Sequence, residues 1–234
     1  MIKILPLLAG AALFAAGADA APKTKARAKP KPARPAATVP VKAPILPSAE
    51  GQQVAAWIAA SNDNHALPYA VLDKKAASLI LYSAKGKPLE QVPVLIGIAA
   101  GDDATPGVGS KKLSQIGPAE KTTPAGRFLA KFGYAAGRQQ VLWVDYTNSV
   151  AIHTIPPDSP KKEKRRERML SPDGEDNRIT FGCINVPRAF YGKSLRPLFQ
   201  KKGGYVYVLP DTKPLEEVFP RLRVHALSAR LTPL

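Results

Sequence analysis

Residues 178–187 read Arg-Ile-Thr-Phe-Gly-Cys-Ile-Asn-Val-Pro and contain Cys183, the only cysteine of the 234-residue chain. Gly182 permits a sharp turn and lets a substrate approach the thiol, because glycine has no Cβ. Residues 187–200 predict a helix with a rough apolar stripe, with Asn185 as its cap. A helix N-terminus next to a thiol favours the thiolate, and the N–H groups of Gly182 and Cys183 are candidate donors to an oxyanion.

A cysteine nucleophile needs a base or a cationic neighbour, because a free thiol with a pKa of about 8.5 is mostly protonated at neutral pH. The chain has three histidines. His65 lies in a polar stretch, and His225 lies near the C-terminus without another reactive group. His153 follows the strand-like residues 149–152 and is the candidate partner, although a lone histidine there is more often structural. The spacing of these residues is not that of a zinc site, so we expect no metal.

Residues 1–20 have the three parts of a secretory signal peptide. Lys3 is the charged region, residues 4–16 are the apolar region, and residues 18–20, Ala-Asp-Ala, form an A-x-A cleavage site. The apolar run is shorter than the roughly 20 residues that cross a bilayer. We therefore expect an exported protein of the periplasm or cell envelope; an uncleaved anchor is the alternative.

Residues 21–48 predict a disordered basic tether rich in Pro, Lys and Ala. They hold seven Lys or Arg and no acid, within a chain of formal charge +16. Frequent prolines stop helices and sheets from propagating. Export makes nucleic acid an unsuitable partner for this charge, and it favours an anionic wall or membrane surface. A simple solvated spacer is the other interpretation.

Residues 49–234 are enough for one sizeable domain and too few for two. Short apolar or alternating runs, broken by Gly and Pro, predict a mainly β fold with a few helices and a long loop. The predicted strands are 69–72, 78–83, 91–98, 126–132, 141–146, 150–153 and 204–209; the helices are 51–61 and 187–200, and the loop is 101–117.

His153 and the cysteine motif together resemble the L,D-transpeptidase catalytic domain, the YkuD-type family. That family has a His, a gap and then Ser/Thr-His-Gly-Cys-hydrophobic-Arg/Asn, and residues 180–185 read Thr-Phe-Gly-Cys-Ile-Asn. Residues 122–128, Thr-Thr-Pro-Ala-Gly-Arg-Phe, resemble the T-P-x-G-x-F strand entry of the family. The resemblance spans residues 69–209 and implies a β-rich, sandwich-like domain without metal or cofactor.

The resemblance also implies an activity on peptidoglycan stem peptides. Matched by position, Cys183 is the nucleophile, His153 accepts and donates protons, and Thr180, Gly182 and Asn185 shape the pocket. The donor is a tetrapeptide stem that forms a thioester, and the acceptor is the amine of a diaminopimelate side chain or of a lipoprotein lysine. Two alternatives remain open: an L,D-carboxypeptidase that uses water as acceptor, and a catalytically inactive peptidoglycan-binding module.

Phe181 is the first departure from the family pattern. It is a pocket position at which the family has a second histidine. Either His153 carries all the proton transfer, or activity is reduced. Phe181 is therefore the residue that keeps the inactive module open as an interpretation.

The second departure is a longer gap before the cysteine, which holds an insertion at residues 156–177. Residues 161–168 read Lys-Lys-Glu-Lys-Arg-Arg-Glu-Arg, with a net charge of +4. One interpretation is a solvated helix and a turn. The other is a basic lid that binds stem carboxylates, with Lys161, Arg165 and the nearby Arg178 as candidate contacts.

Overall fold

The computed structural model describes residues 45–135 and 138–223. The predicted signal peptide, most of the predicted tether and His225 lie outside these residues. The elements in chain order are α1 (Ala49–Ser61), β1 (Tyr69–Asp73), β2 (Ser78–Tyr82), β3 (Pro88–Pro93), β4 (Ile96–Gly97), β5 (Gly126–Tyr134), β6 (Gln140–Asp145), β7 (Val150–Thr154), α2 (Arg165–Met169), β8 (Arg178–Thr180), β9 (Ile184–Val186), α3 (Arg188–Phe190), α4 (Arg196–Phe199), β10 (Gly204–Val208) and α5 (Leu215–Val218).

Eight strands form one mixed sheet in the order β3-β2-β1-β10-β5-β6-β7-β9. The pairs β1–β10 and β7–β9 are parallel, and the other neighbours are antiparallel. Just after β3, Leu95 exchanges two backbone hydrogen bonds with Asn185 of β9, at the opposite edge of the sheet. The sheet therefore nearly closes on itself, and β4 and β8 form a small parallel pair beside it. The predicted mainly β class is confirmed.

The main core lies inside this curved sheet. Side chains alternate between the two faces of a strand, so every second residue of each strand points inward. Leu72, Leu142, Ile152 and Ile184 are fully buried there. The continuous helical segment that contains α3 and α4, joined by a wide π-helical turn at Tyr191–Leu195, covers the core with buried apolar side chains.

The opposite face of β1, β2 and β10 packs on a second apolar cluster. Helix α1 contributes Val54, Trp57 and Ile58 to it, and α5 contributes Leu215. These strands are thus buried on both faces, which explains why their sequences are almost continuously apolar. The structure extends the predicted first helix to Ala49, because Ser48 caps it by accepting a hydrogen bond from Gly51 N at 3.1 Å.

The last four residues of the predicted tether, 45–48, lie on the domain. Ile45 packs against the second cluster, and Leu46 exchanges hydrogen bonds with the Gln91 side chain. The folded part therefore begins before residue 49. In the described part of the chain, no helix has both the length and the apolar character that a membrane crossing requires.

Candidate active site

His153 lies on strand β7, and Cys183 directly precedes the adjacent strand β9. The parallel register of β7 and β9 pairs Ile152 with Ile184 and His153 with Asn185. Because Ile152 and Ile184 point into the core, His153, Asn185 and Cys183 point to the other side. With strands about 4.8 Å apart and a rise of about 3.3 Å per residue, the Cα atoms of Cys183 and His153 are about 8 Å apart.

The turn before the thiol requires glycine. Gly182 has a φ of +117°, and a Cβ there would lie 2.6 Å from the carbonyl oxygen of Thr122. The Thr180 hydroxyl donates to Cys183 O at 2.6 Å and accepts from Gly182 N at 3.2 Å, while the Thr123 hydroxyl donates to Gly182 O at 2.9 Å. Two threonines therefore hold the backbone that carries the thiol.

Two expectations about this turn are wrong. Strand β9 follows Cys183 directly and the helix begins only at Arg188, so no helix N-terminus lies at the thiol and Asn185 caps nothing. Gly182 donates its N–H to a threonine hydroxyl, so that donor is not free for an oxyanion. Thr180 is buried and supports the turn.

The thiol is in an environment that disfavours its charged form. Burial raises the pKa of Cys183, and a hydrogen bond from the Ala151 N–H offsets this only in part. The Sγ atom lies 3.6 Å from the carbonyl oxygen of Ser149. No hydrogen bond joins it to His153 among the described residues. The lowered thiol pKa that the sequence predicts is therefore not found in the substrate-free protein.

The surroundings of His153 favour the neutral imidazole. Burial lowers its pKa, a hydrogen bond to the Thr154 carbonyl opposes this shift, and the charge of Arg165 adds to it. Nδ1 lies 2.8 Å from Thr154 O; since a carbonyl can only accept, we assign the proton to Nδ1. Nε2 then carries the lone pair, with Asn185 Nδ2 at 3.5 Å from it, and can act as a general base.

Arg165 joins the basic insertion to the histidine. Its Nη1 donates to Asn185 Oδ1 at 3.0 Å, and the Asn185 Nδ2 atom lies 3.5 Å from both nitrogens of the His153 ring. The Nε atom of Arg165 donates to Glu163 at 2.6 Å, and the Arg165 side chain is only 12% exposed. The contacts of Arg165 are therefore those of a residue that positions Asn185 beside the ring.

The other two candidate contacts differ in exposure. Arg178 is 7% exposed and its guanidinium pairs with Asp211 at 2.9 Å and with Glu175 at 3.0 Å. Burial alone would lower its pKa, but these carboxylates raise it overall. The guanidinium of Arg178 is thus engaged in structural ion pairs, and it is not available as the contact for stem carboxylates that the sequence suggests. Lys161 is exposed at the start of the 3-10 turn Lys161–Glu163.

A buried lysine outside the cysteine motif supports the same region. Lys74 is fully buried, and its Nζ lies 2.9 Å from Asp102 Oδ1, 3.2 Å from Asp211 Oδ2 and 3.1 Å from the carbonyl oxygen of Thr123. Thr123 in turn bonds to Gly182 through its hydroxyl. No local pattern marks Lys74, because its partners lie far away along the chain.

Comparison with protein-family models finds no match, and comparison with curated proteins finds none. Several solved structures are similar at low identity. They include an L,D-transpeptidase from Xylanimonas cellulosilytica (13% identity, TM-score 0.36, 61% of this chain and 60% of that one). The catalytic domain of an Enterococcus faecium L,D-transpeptidase has 20% identity and a TM-score of 0.36, with 61% and 96% coverage. A helical cell-shape-determining protein from Campylobacter jejuni has 16% identity and a TM-score of 0.42, with 67% and 55% coverage.

The chain thus spans about 60% of the length of the Xylanimonas chain that it matches. Similarities at this identity and TM-score assign no role to any side chain.

The environment of Cys183 predicts the pH dependence of its alkylation. In the substrate-free protein, the rate with iodoacetamide should rise with pH and have its midpoint above the free-thiol value of about 8.5, because burial disfavours the thiolate. His153→Ala should leave this midpoint nearly unchanged, since the imidazole is neutral and not bonded to the thiol. A midpoint below that value, which then rises in His153→Ala, would instead show a thiolate–imidazolium pair.

Proposed function

We propose that this protein is an exported L,D-transpeptidase of peptidoglycan, with Cys183 as nucleophile and His153 as proton carrier. The observation that supports the proposal most strongly is that His153 lies on β7 and Cys183 directly precedes β9, the strand that pairs with β7. The thiol lies on a hydrogen-bonded glycine turn, and the imidazole near it has one unprotonated nitrogen. These are the parts that covalent acyl transfer requires.

In the first step, Cys183 Sγ attacks the carbonyl carbon on the L side of an L,D bond in a donor tetrapeptide stem. The C–S bond forms, the C–N bond breaks, and a thioester remains. His153 takes the thiol proton and delivers it to the nitrogen of the leaving D-amino acid. Because the thiol pKa is raised and the imidazole pKa is lowered, the proton moves during the attack and not before it.

In the second step, an acceptor amine attacks the thioester carbon. A new peptide bond forms as the C–S bond breaks, and His153 transfers the amine proton to the departing sulfur. The free thiol and the neutral imidazole are thereby restored. If water attacks instead, the same site releases a tripeptide and acts as an L,D-carboxypeptidase.

Product analysis tests this proposal. The purified protein, without residues 1–20, is incubated with a tetrapeptide stem and a diaminopimelate-containing acceptor stem, and the products are identified by mass spectrometry. A cross-linked product supports the transpeptidase. A tripeptide without cross-link assigns the carboxypeptidase, and an unchanged tetrapeptide contradicts both.

The location and attachment of the protein are part of the same proposal. Residues 1–20 direct export to the cell envelope, and the seven basic residues of the tether attract an anionic wall or membrane surface. The attraction between exposed charges is screened by salt over about 10 Å at 0.1 M ionic strength. The tether therefore concentrates the enzyme near its substrate and takes no part in the chemistry.

The exposed cations of the insertion should contribute to binding and not to chemistry. Lys161, Lys162, Lys164 and Arg166 are exposed, whereas Arg165 is half-buried and bonded to Asn185, and it should be kept. Changing those four to Gln should raise KM for carboxylate-rich stems several-fold and leave kcat nearly unchanged, and the effect should shrink as salt increases.

The matched control changes four exposed lysines outside the insertion, Lys85, Lys87, Lys201 and Lys202, to Gln. It removes the same amount of charge and should leave KM closer to wild type. If both variants raise KM equally, the effect comes from net charge alone. If neither changes it at low salt, the insertion is only a solvated surface.

A further inference from the structure

Phe181 holds a cation next to the thiol turn. The ammonium of Lys121 lies 3.8 Å from the centroid of the Phe181 ring, within the range of a cation–π interaction. The ring is 37% exposed, so this pair lies at the protein surface. Phe181 is two residues before Cys183, and their Cα atoms are therefore at most about 7 Å apart.

The backbone around Lys121 is fixed to the same turn. Its carbonyl accepts a hydrogen bond from Ala99 N at 3.1 Å, and its N–H donates to Pro118 O at 3.3 Å. The next residue, Thr122, lies against Gly182 so closely that no Cβ would fit between them. The position of the Lys121 Cα relative to the thiol is therefore set by the fold.

The charge of Lys121 is not neutralised by the protein. Within residues 45–135 and 138–223, Lys121 Nζ has no salt bridge and no hydrogen bond, whereas its neighbour Lys111 is paired with Glu120. An ammonium has three N–H donors and no acceptor, and the aromatic ring covers only one side of it. The remaining donors are free to bind an anion.

We infer that Lys121 and Phe181 form a carboxylate-binding subsite for the donor stem peptide. The inference rests on the proposed function, because it takes the acyl donor at Cys183 to be a peptide with several free carboxylates. Phe181 orients the ammonium through its ring, and the ammonium forms an ion pair with one carboxylate close to the scissile bond. The residue that replaces the second histidine of the family thereby acts in substrate recognition.

The test uses a set of donor stems in which one carboxylate at a time is converted to the amide. Wild type should lose about tenfold in kcat/KM with one member of the set, as expected when a charge-assisted hydrogen bond is removed. Lys121→Met should be about tenfold slower than wild type on the unmodified stem, and it should not discriminate against that same amide.

Two further variants complete the design. Lys87→Met removes an exposed lysine from the turn between β2 and β3 and should keep the wild-type discrimination. Phe181→Leu removes the ring and leaves Lys121 in place, and it should reduce the discrimination by about twofold to fivefold, the range of an exposed cation–π pair. If Lys121→Met still discriminates against the amide as wild type does, the subsite proposal is wrong.

Binding measurements separate this proposal from the proposed function. Calorimetry with Cys183→Ala reports stem affinity without chemistry, and the loss of discrimination in Lys121→Met should appear there too. If the stem binds with this pattern but wild type forms no product, the subsite stands and the catalytic proposal fails. If wild type turns over without any effect of Lys121, catalysis stands and the subsite fails.

Discussion

Cys183→Ala should reduce stem turnover by about 10⁴-fold or more, and His153→Ala should cost nearly as much, because a nucleophile and its base act as one unit. The double variant should be no worse than the single ones. Steady-state kinetics on a tetrapeptide donor measures all three. Thermal unfolding should show little change, since neither side chain is part of the apolar core.

The pattern of losses is the informative result. If the losses from the two single variants multiply in the double variant, Cys183 and His153 act independently and the shared proton path is wrong. If Cys183→Ala retains wild-type turnover, the nucleophile lies elsewhere. Cys183→Ser keeps the shape of the side chain with a far weaker nucleophile, and it should be nearly as inactive as the alanine variant.

Lys74→Met should lower the free energy of unfolding by about 3 to 5 kcal/mol, the cost of breaking a buried ion pair from one side. The Lys74 Nζ atom is bonded to the Asp102 carboxylate and to the carbonyls of Gly101 and Thr123. Without the ammonium, the two carbonyls lose this donor, and the buried Asp102 carboxylate keeps its backbone donors but loses its counter-ion. Denaturant unfolding at neutral pH measures the change.

The adjacent Lys75 provides a matched control. Its side chain is 52% exposed, and it pairs with Glu50 on the surface at 3.2 Å. Lys75→Met should therefore cost at most about 1 kcal/mol. Equal losses in the two variants would show that the buried network contributes no more than a surface pair.

Asp102 makes this network sensitive to acid. Burial would raise its pKa, but the N–H groups of Lys213 and Asp211 and the Lys74 ammonium lower it well below the usual range of a carboxyl. A carboxyl with a depressed pKa in the folded protein stabilises it fully above the unfolded value of about 3.9, and this stability is lost as pH falls below it. The network thus stabilises the protein throughout the neutral range.

The strands that the sequence predicted are those with several consecutive apolar or alternating residues. Their side chains fill the two apolar clusters. The hydrophobic pattern of the sequence therefore marks the residues that the structure buries. Strand β9, residues 184–186, was missed because it is short, contains a buried asparagine and is followed by proline. Its pairing with β7 comes from distant residues, which a local pattern cannot show.

This missed strand changed the chemistry that was expected at the thiol. The sequence predicts a helix over residues 187–200 with Asn185 as its cap. That arrangement would put the thiol at a helix N-terminus, where its pKa is expected to fall. In the structure, Cys183 instead enters a strand and its pKa is raised by burial. The resemblance selected Cys183 and His153, and the sheet register places them on the same face.

Charged residues were the least predictable part of the site. Arg178 looks like a substrate contact in the sequence, since it lies next to the cysteine motif in a basic region. Its partner Asp211 is 33 residues away, and nothing local indicates that pair. The same holds for Lys74, and for Lys121 above Phe181, because only the fold brings these residues together.

Intact-protein mass spectrometry with a carbapenem tests the central claim most directly. Opening of the β-lactam forms a C–S bond to Cys183 and breaks the lactam C–N bond, whose nitrogen takes the proton, so the whole drug is retained. We predict one adduct with the full mass of the drug, which maps to the peptide that contains Cys183 and is nearly abolished in Cys183→Ser. A wild-type protein that forms no adduct would contradict the account and favour an inactive peptidoglycan-binding module.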